Sequence, residues 1–331
     1  EGHNPIFEYL NRNKKSVILN LKSEEGRKIF LDLVKISDVV VQNFMPGTMK
    51  RLGIDYDVLK ATNPRIIYAA LSGYGQTGPY ALRPSFDIVG QAMSGIMWST
   101  GLRKDPVGPP IHTAEAIGDL VPGSWAVLGI LAALYYREIT GEGQMIDVSQ
   151  VDVMAALVPS IAQCAMLGIP YKEALRRQQS SFWGYYGILR VKDGYIIVGA
   201  PVLHGIFDRM KKVMGVEEVD SREQVQEWAL NFTAEEALKM LTEGDVPCAP
   251  LLHPEEVPLD PHIQARETVV EVDVQDVGRV KMPNFPLKFS RTPASIYGPA
   301  PKMGQHTEEV LTTLLGYTRE EVAELRKERV I

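Results

Sequence analysis

The sequence predicts an α/β protein: an open, Rossmann-like parallel sheet domain followed by a smaller α+β domain. Three observations carry this. Between residues 16 and 71, short β-branched apolar runs alternate with amphipathic stretches, as strands joined by crossover helices do. Two of the runs, at 38–44 and 65–71, are continuously apolar, the pattern of strands covered on both faces. After Phe182 the texture shifts to a hairpin and short strands separated by helical stretches.

In chain order, 16–21 reads as a strand and 23–35 as a helix. The strand at 38–44 is closed by the Pro46-Gly47 turn. A short helix follows and stops at Asn63-Pro64, because a residue before proline avoids helical backbone. Residues 65–71 form a further strand. The stretch 120–139 reads as a long helix, with Asp119 as N-cap and Gly141 just past its end. A hairpin is expected at 186–200 around Lys192-Asp193-Gly194. Helices at 203–214 and 233–243 follow, then short strands near 246–252, 268–274 and 278–282. Pro283, Pro286, Pro293, Pro299 and Pro301 mark an extended linker, and helices from Thr307 and Thr318 end the chain. The expected domains are 1–185, 186–282, and a linker with C-terminal helices at 283–331 that returns to the first.

Composition limits the function. With 331 residues, 45% of them hydrophobic, the chain can bury a large core. A net charge of −6 argues against nucleic acid as the main partner. The two cysteines, Cys164 and Cys248, lie far apart without metal-ligand spacing, as in a reducing compartment. The apolar stretches read as broken before the ~18 residues of a membrane span, and no signal-peptide pattern opens the chain. The expectation is a cytoplasmic protein with no membrane partner.

The sharpest chemical signal lies between Gly141 and Val158. A glycine turn leads into a short strand that ends on Ser149, and an apolar helix begins beyond Asp152. Ser149 and Asp152 have the spacing of a capping box, in which the acidic residue satisfies backbone N–H groups. The same geometry offers a second role. A carboxylate in the first helical turn is held ionised by the positive end of the helix dipole and is a candidate nucleophile. Asp147, on the strand, is the structural control.

Other motifs exclude more than they assign. Gly73-Tyr74-Gly75-Gln76-Thr77-Gly78 matches a dinucleotide fingerprint, but Pro79 and Pro84 forbid the helix that should present its N-terminus to a pyrophosphate. A glycine-rich loop beside a ligand remains. The histidines are scattered without zinc spacing, and neither a G-x-S-x-G elbow nor a Walker loop is present. Asn11-Arg12-Asn13-Lys14-Lys15 is a small basic cluster, either a solvated edge or a phosphate contact.

These stretches resemble the signatures of the family III CoA-transferases. The resemblance is carried by Leu10 to Val17, Asn43 to Gly47 with Arg51-Leu52-Gly53, and Asn63-Pro64-Arg65. It continues through Gly73 to Tyr80, Thr140 to Asp152, and Gly304-Gln305-His306-Thr307, in family order along nearly the whole chain. It implies that Asp152 is the nucleophile that takes the acyl group from an acyl-CoA, through aspartyl anhydride and aspartyl-CoA thioester intermediates, before an acceptor acid receives CoA. It also implies CoA contacts from Leu19, Asn20, Leu21, Lys22, Asn43, Phe44, Met45 and Arg51. Contacts near the pantetheine are implied for Phe86 and Asp87, with Arg83 standing in for a lysine that some members carry at the position of Pro84. The implied partners are an acyl-CoA donor, a carboxylic acid acceptor and a second copy of the chain, interlocked as a homodimer. No metal and no tightly bound cofactor is implied; CoA is substrate. The racemase branch has a histidine where this chain has Phe86, and a phenylalanine exchanges no proton. Members begin with a further strand–helix unit ahead of the point where this chain starts. Ser180 to Gly184 is the expected lining of the pocket on the small-domain side.

Overall fold

The computed structural model describes residues 4–104, 108–174, 184–274 and 277–331. The chain divides into two units, Lys14–Leu175 with Pro301–Ile331, and Glu1–Asn13 with Arg176–Ala300. Helix α1 (Pro5–Asn11), capped by the Asn4 side chain, opens the described chain and belongs to the smaller unit.

The larger unit follows the strand–helix alternation of its sequence. Helix α2 (Glu24–Lys35) begins where the Ser23 hydroxyl accepts from the Gly26 N–H, and it buries Ile29 and Val34. Strand β1 (Val39–Gln42), helices α3 (Thr48–Arg51) and α4 (Tyr56–Thr62), and strand β2 (Ile67–Ser72) come next. Helices α5 (Asp87–Met93), α6 (Ile96–Lys104) and α7 (Ile117–Thr140) lead to strand β3 (Met145–Ser149), then α8 (Gln150–Ala156) and α9 (Ser160–Leu167). The sheet runs β1-β2-β3, parallel throughout, with Val40 opposite Tyr68 and Ala70 opposite Asp147. Ile54, Leu59 and Ile66, each 0% exposed, form its core with Val34, Met49 and Tyr68. All three strands therefore end on one edge.

Four expectations are corrected. Residues 16–21 are not a strand, because their backbone is satisfied by the C-terminal segment instead. Ile18 N–H donates to Thr307 Oγ1, His306 N–H to Ser16 O, and Asn20 N–H to Val330 O. Strand β1 is not covered on both faces: it is at the edge of the described sheet, and Val41 is 58% exposed. Asp119 is not the N-cap of α7; the helix starts one turn earlier, after Ala116, and Asp119 sits within its first turn. Finally, one helix does reach span length and composition: α7 has 24 residues and an 18-residue window of mean hydropathy 1.7, with its charges, Asp119, Arg137 and Glu138, near its two ends. Its Gly118, Pro122, Ala126, Ala133 and Arg137 face is buried, and the helix packs on β2 and β3.

The smaller unit holds the expected hairpin, β4 (Gly184–Val191) against β5 (Gly194–Pro201), with Val191 opposite Gly194. Strand β6 (Cys248–Pro250) adds antiparallel to β5. Helices α10 (Ile206–Met214), α11 (Arg222–Ala229) and α12 (Ala234–Glu243) cover these strands around Leu189, Ile196, Val198, Met210 and Leu241. Helix α11 lacks a sequence expectation of its own. Thr233 and Glu236 close a reciprocal capping box on α12. Strands β7 (Val269–Val274) and β8 (Gly278–Pro283) form a separate hairpin, and an extended run leads to the C-terminal helices Thr307–Leu315 and Arg319–Lys327.

Candidate active site

Ligands of open α/β sheets collect where the strands end. In the larger unit that edge receives Asn43, Phe44 and Met45 after β1, the glycine loop 73–78 after β2, and Gln150 to Asp152 after β3. The loop turns back on itself with Gly75 and Gly78 at positive φ, and no helix starts before Asp87. It is seated on the start of α8: Val151 N–H and the Ser149 hydroxyl both donate to Gly73 O. Asp147 holds its other side, accepting from Gln76 N–H at 2.9 Å. The strand carboxylate is thus occupied by loop backbone.

Asp152 differs. Ser149 Oγ accepts from Asp152 N–H at 3.1 Å, so the serine caps α8. The cap is one-sided. In two full boxes among the described residues, Glu236 and Glu321 reach back to the N-cap N–H. Among the described residues nothing donates to the Asp152 carboxylate, and the residue is exposed. A carboxylate so placed in a first helical turn can act as a nucleophile toward an activated carbonyl.

Around it, three helix starts are tied by polar side chains. Asp87 accepts from Gly118 N–H at 2.5 Å and from Gln91 Nε2 at 2.9 Å, fixing α5 to the start of α7. Gln91 is fully buried and its amide oxygen accepts from Thr113. Gln150 Nε2 donates to Asp119, while its oxygen accepts from Ser85 Oγ at 3.0 Å. Burial and then the nearby Asp87 charge raise the Asp119 carboxyl above its usual range, and the Gln150 hydrogen bond opposes this. The Gln150–Asp119 and Asp87–Gly118 contacts each span 31 positions, so no local motif announces them.

The other expected residues fall into three groups. Leu19 and Leu21 are half-buried anchors, packed on the C-terminal helices and on the β1–β2 core respectively. Asn20 is committed too: its Oδ1 accepts from Lys22 N–H and its backbone N–H donates to Val330 O. Lys22, Asn43, Phe44, Met45 and Arg51 are exposed. Leu21 and Leu52 pack on one cluster, which anchors the chain beside both Lys22 and Arg51. Arg51 Nη2 donates to Thr48 Oγ1 at 2.8 Å, which aims the guanidinium while leaving it donors to spare. Arg83 lies over the Tyr80 ring, 3.6 Å from its centroid. Phe86, at the N-cap position of α5, is 80% exposed. Ser180 to Trp183 lie outside the described residues. Two cavities, of about 530 and 320 Å³, belong to the smaller unit; Arg12 and Asn13 of the basic cluster line the second, and neither touches Asp152 or the residues expected to contact CoA. Among the described residues no three His, Cys, Asp or Glu side chains are grouped to hold a metal.

A parallel sheet whose carboxyl edge carries a carboxylate that takes no hydrogen bond from the described residues suits an enzyme of acyl transfer. Residues 1–307 match CoA-transferase family III. The chain belongs to that family and is a CoA-transferase. It is 36% identical to the succinyl-CoA–L-malate CoA-transferase beta subunit of Chloroflexus aurantiacus, across 97% of this chain and 83% of that one. It is 34% identical to the succinyl-CoA–D-citramalate CoA-transferase of the same organism, across 100% of this chain and 86% of that one. Among solved structures, a CaiB/BaiF family protein from Brucella suis matches with a TM-score of 0.73 and 28% identity, covering 92% of this chain and 82% of the other.

Proposed function

We propose that the enzyme moves CoA from an acyl-CoA to a carboxylic acid with Asp152 as nucleophile. The one-sided cap carries this reading: Ser149 secures the helix while the Asp152 carboxylate stays available. An Asp152 oxygen adds to the thioester carbonyl, the C–S bond breaks, and CoA leaves as thiolate with a mixed anhydride left on the enzyme. The thiolate attacks the aspartyl carbonyl, expelling the donor acid and giving an aspartyl-CoA thioester. The acceptor carboxylate attacks that thioester and again releases thiolate, which finally takes the acceptor acyl group and restores Asp152. Charge and atoms balance without a metal or an external base. The names of the relatives support succinyl-CoA as donor and a hydroxydicarboxylic acid such as malate or citramalate as acceptor. Phe86 speaks against two-base racemisation, since it offers no proton at the start of α5.

The test is intact-mass measurement after exposure to succinyl-CoA, with hydroxylamine or borohydride trapping. An adduct located on Asp152 is expected; an adduct-free enzyme that still turns over refutes the scheme.

In this reading the larger unit binds CoA, with Lys22 and Arg51 meeting its phosphates. Lys22→Ala and Arg51→Ala are each expected to raise KM for the acyl-CoA about tenfold with kcat little changed, the effect shrinking in high salt. Steady-state kinetics at two salt concentrations decide this. The enzyme is further proposed to be an interlocked homodimer. Leu120, Trp125, Leu128, Leu131, Tyr135 and Ile139 on α7 are each at least 46% exposed in the single chain, an apolar stripe of the kind a second copy covers. Sedimentation equilibrium should return twice 36.8 kDa at micromolar protein; a monomer contradicts the assembly.

A further inference from the structure

We propose that Gln150 is a positioning residue that sets the aim of the Asp152 carboxylate by bridging Asp119 and Ser85. The inference rests on Asp152 being the nucleophile. Gln150 is the first residue of α8, two positions before Asp152 in the same turn. Its amide is engaged at both ends, donating to Asp119 in the first turn of α7 and accepting from Ser85 just ahead of α5. Glycines close in on the bridge from one side: a methyl on Gly90 would come within 3.2 Å of Gln150 Cβ, and one on Gly73 within 2.1 Å of Ser85 Cβ. Asp87 locks the neighbouring pair of helix starts by accepting from Gly118 N–H. The first turn of α8 is thus referenced to two other helices through one side chain. A nucleophile displaced by about 1 Å loses on the order of 10²-fold in rate, so this reference is worth most at the reacting carbonyl. Asp119 acts here as an acceptor, through Gln150, and not on the substrate.

The experiment is a double-mutant cycle on the full-length enzyme, read as kcat and as KM for succinyl-CoA, beside the rate of adduct formation. Gln150→Ala and Asp119→Ala should each lower kcat roughly 10- to 100-fold with KM nearly unchanged. The double variant should be no slower than the slower single one, since both remove one contact. Asp119→Asn keeps an acceptor oxygen and should recover most of the rate. Multiplying losses, an Asp119→Asn as slow as Asp119→Ala, or a Gln150→Ala enzyme at wild-type kcat would each overturn the proposal. Should Gln150→Ala fail to fold, Ser85→Ala and Asp119→Asn decide: a several-fold kcat loss in the first with recovery in the second supports it, and no loss in the first overturns it. A wild type that never forms an adduct refutes the nucleophile alone, because the kcat cycle still reads the coupling.

Discussion

Asp152→Ala is expected to lower CoA transfer on the order of 10⁴-fold or more and to abolish the trapped adduct, because the proposed mechanism acylates the oxygen that is removed. Binding of acyl-CoA should persist, since the expected contacts lie on other segments: Lys22 ahead of α2, Phe44 after β1 and Arg51 at the end of α3. Asp152→Asn should match it once slow deamidation is excluded. Asp147→Asn is the informative companion. That carboxylate already accepts from Gln76 N–H, and an asparagine oxygen still can, so the glycine loop stays seated and the adduct should still form. Intact mass and initial rates on the three proteins separate a nucleophile from a structural acid. Full activity in Asp152→Asn would remove the basis of the mechanism.

Gly118→Ala is expected to destabilise the larger unit although the glycine lies inside a helix. In an unencumbered helix, alanine in place of glycine gains about 1 kcal/mol. Here the new Cβ would sit 2.3 Å from Asp87 O and 2.8 Å from the Asp87 carboxylate. Relief requires α5 and α7 to part, breaking the bond from Gly118 N–H to Asp87. A net cost of about 1–3 kcal/mol follows, as for other overpacked sites. Gly123, in the same helix, has nothing within 4 Å of the position an added methyl would take, so Gly123→Ala should move the urea midpoint the opposite way. Equal signs for the two substitutions would show that close approach at Gly118 does not govern its identity.

What the sequence discloses here divides along chain separation. Ser23 marks the start of α2 because a serine hydroxyl reaches the N–H three residues on, which is a local instruction, and the buried run of β2 is equally local. The pairing of Ser149 with Asp152 is legible for the same reason. Residues 16–21 mislead because β-branched composition reports a preference for extended backbone, not the partner that satisfies it; the partner is the segment around His306 and Thr307. Asp119 misleads as an N-cap because its hydrogen bond runs to Gln150 across the fold, and the Gly118 N–H at the start of α7 is taken by Asp87. Contacts of that range leave no spacing to read.

The half-made cap at Ser149 has a consequence for how conservatively position 152 tolerates change. One extra methylene would give a glutamate the reach that Glu236 and Glu321 use to return to their own caps. Such a side chain would fold away against the backbone and firm up the helix, withdrawing its oxygens from chemistry. Under the proposed mechanism, the shorter acid leaves the reciprocal half of the cap unmade and its oxygens free for the thioester.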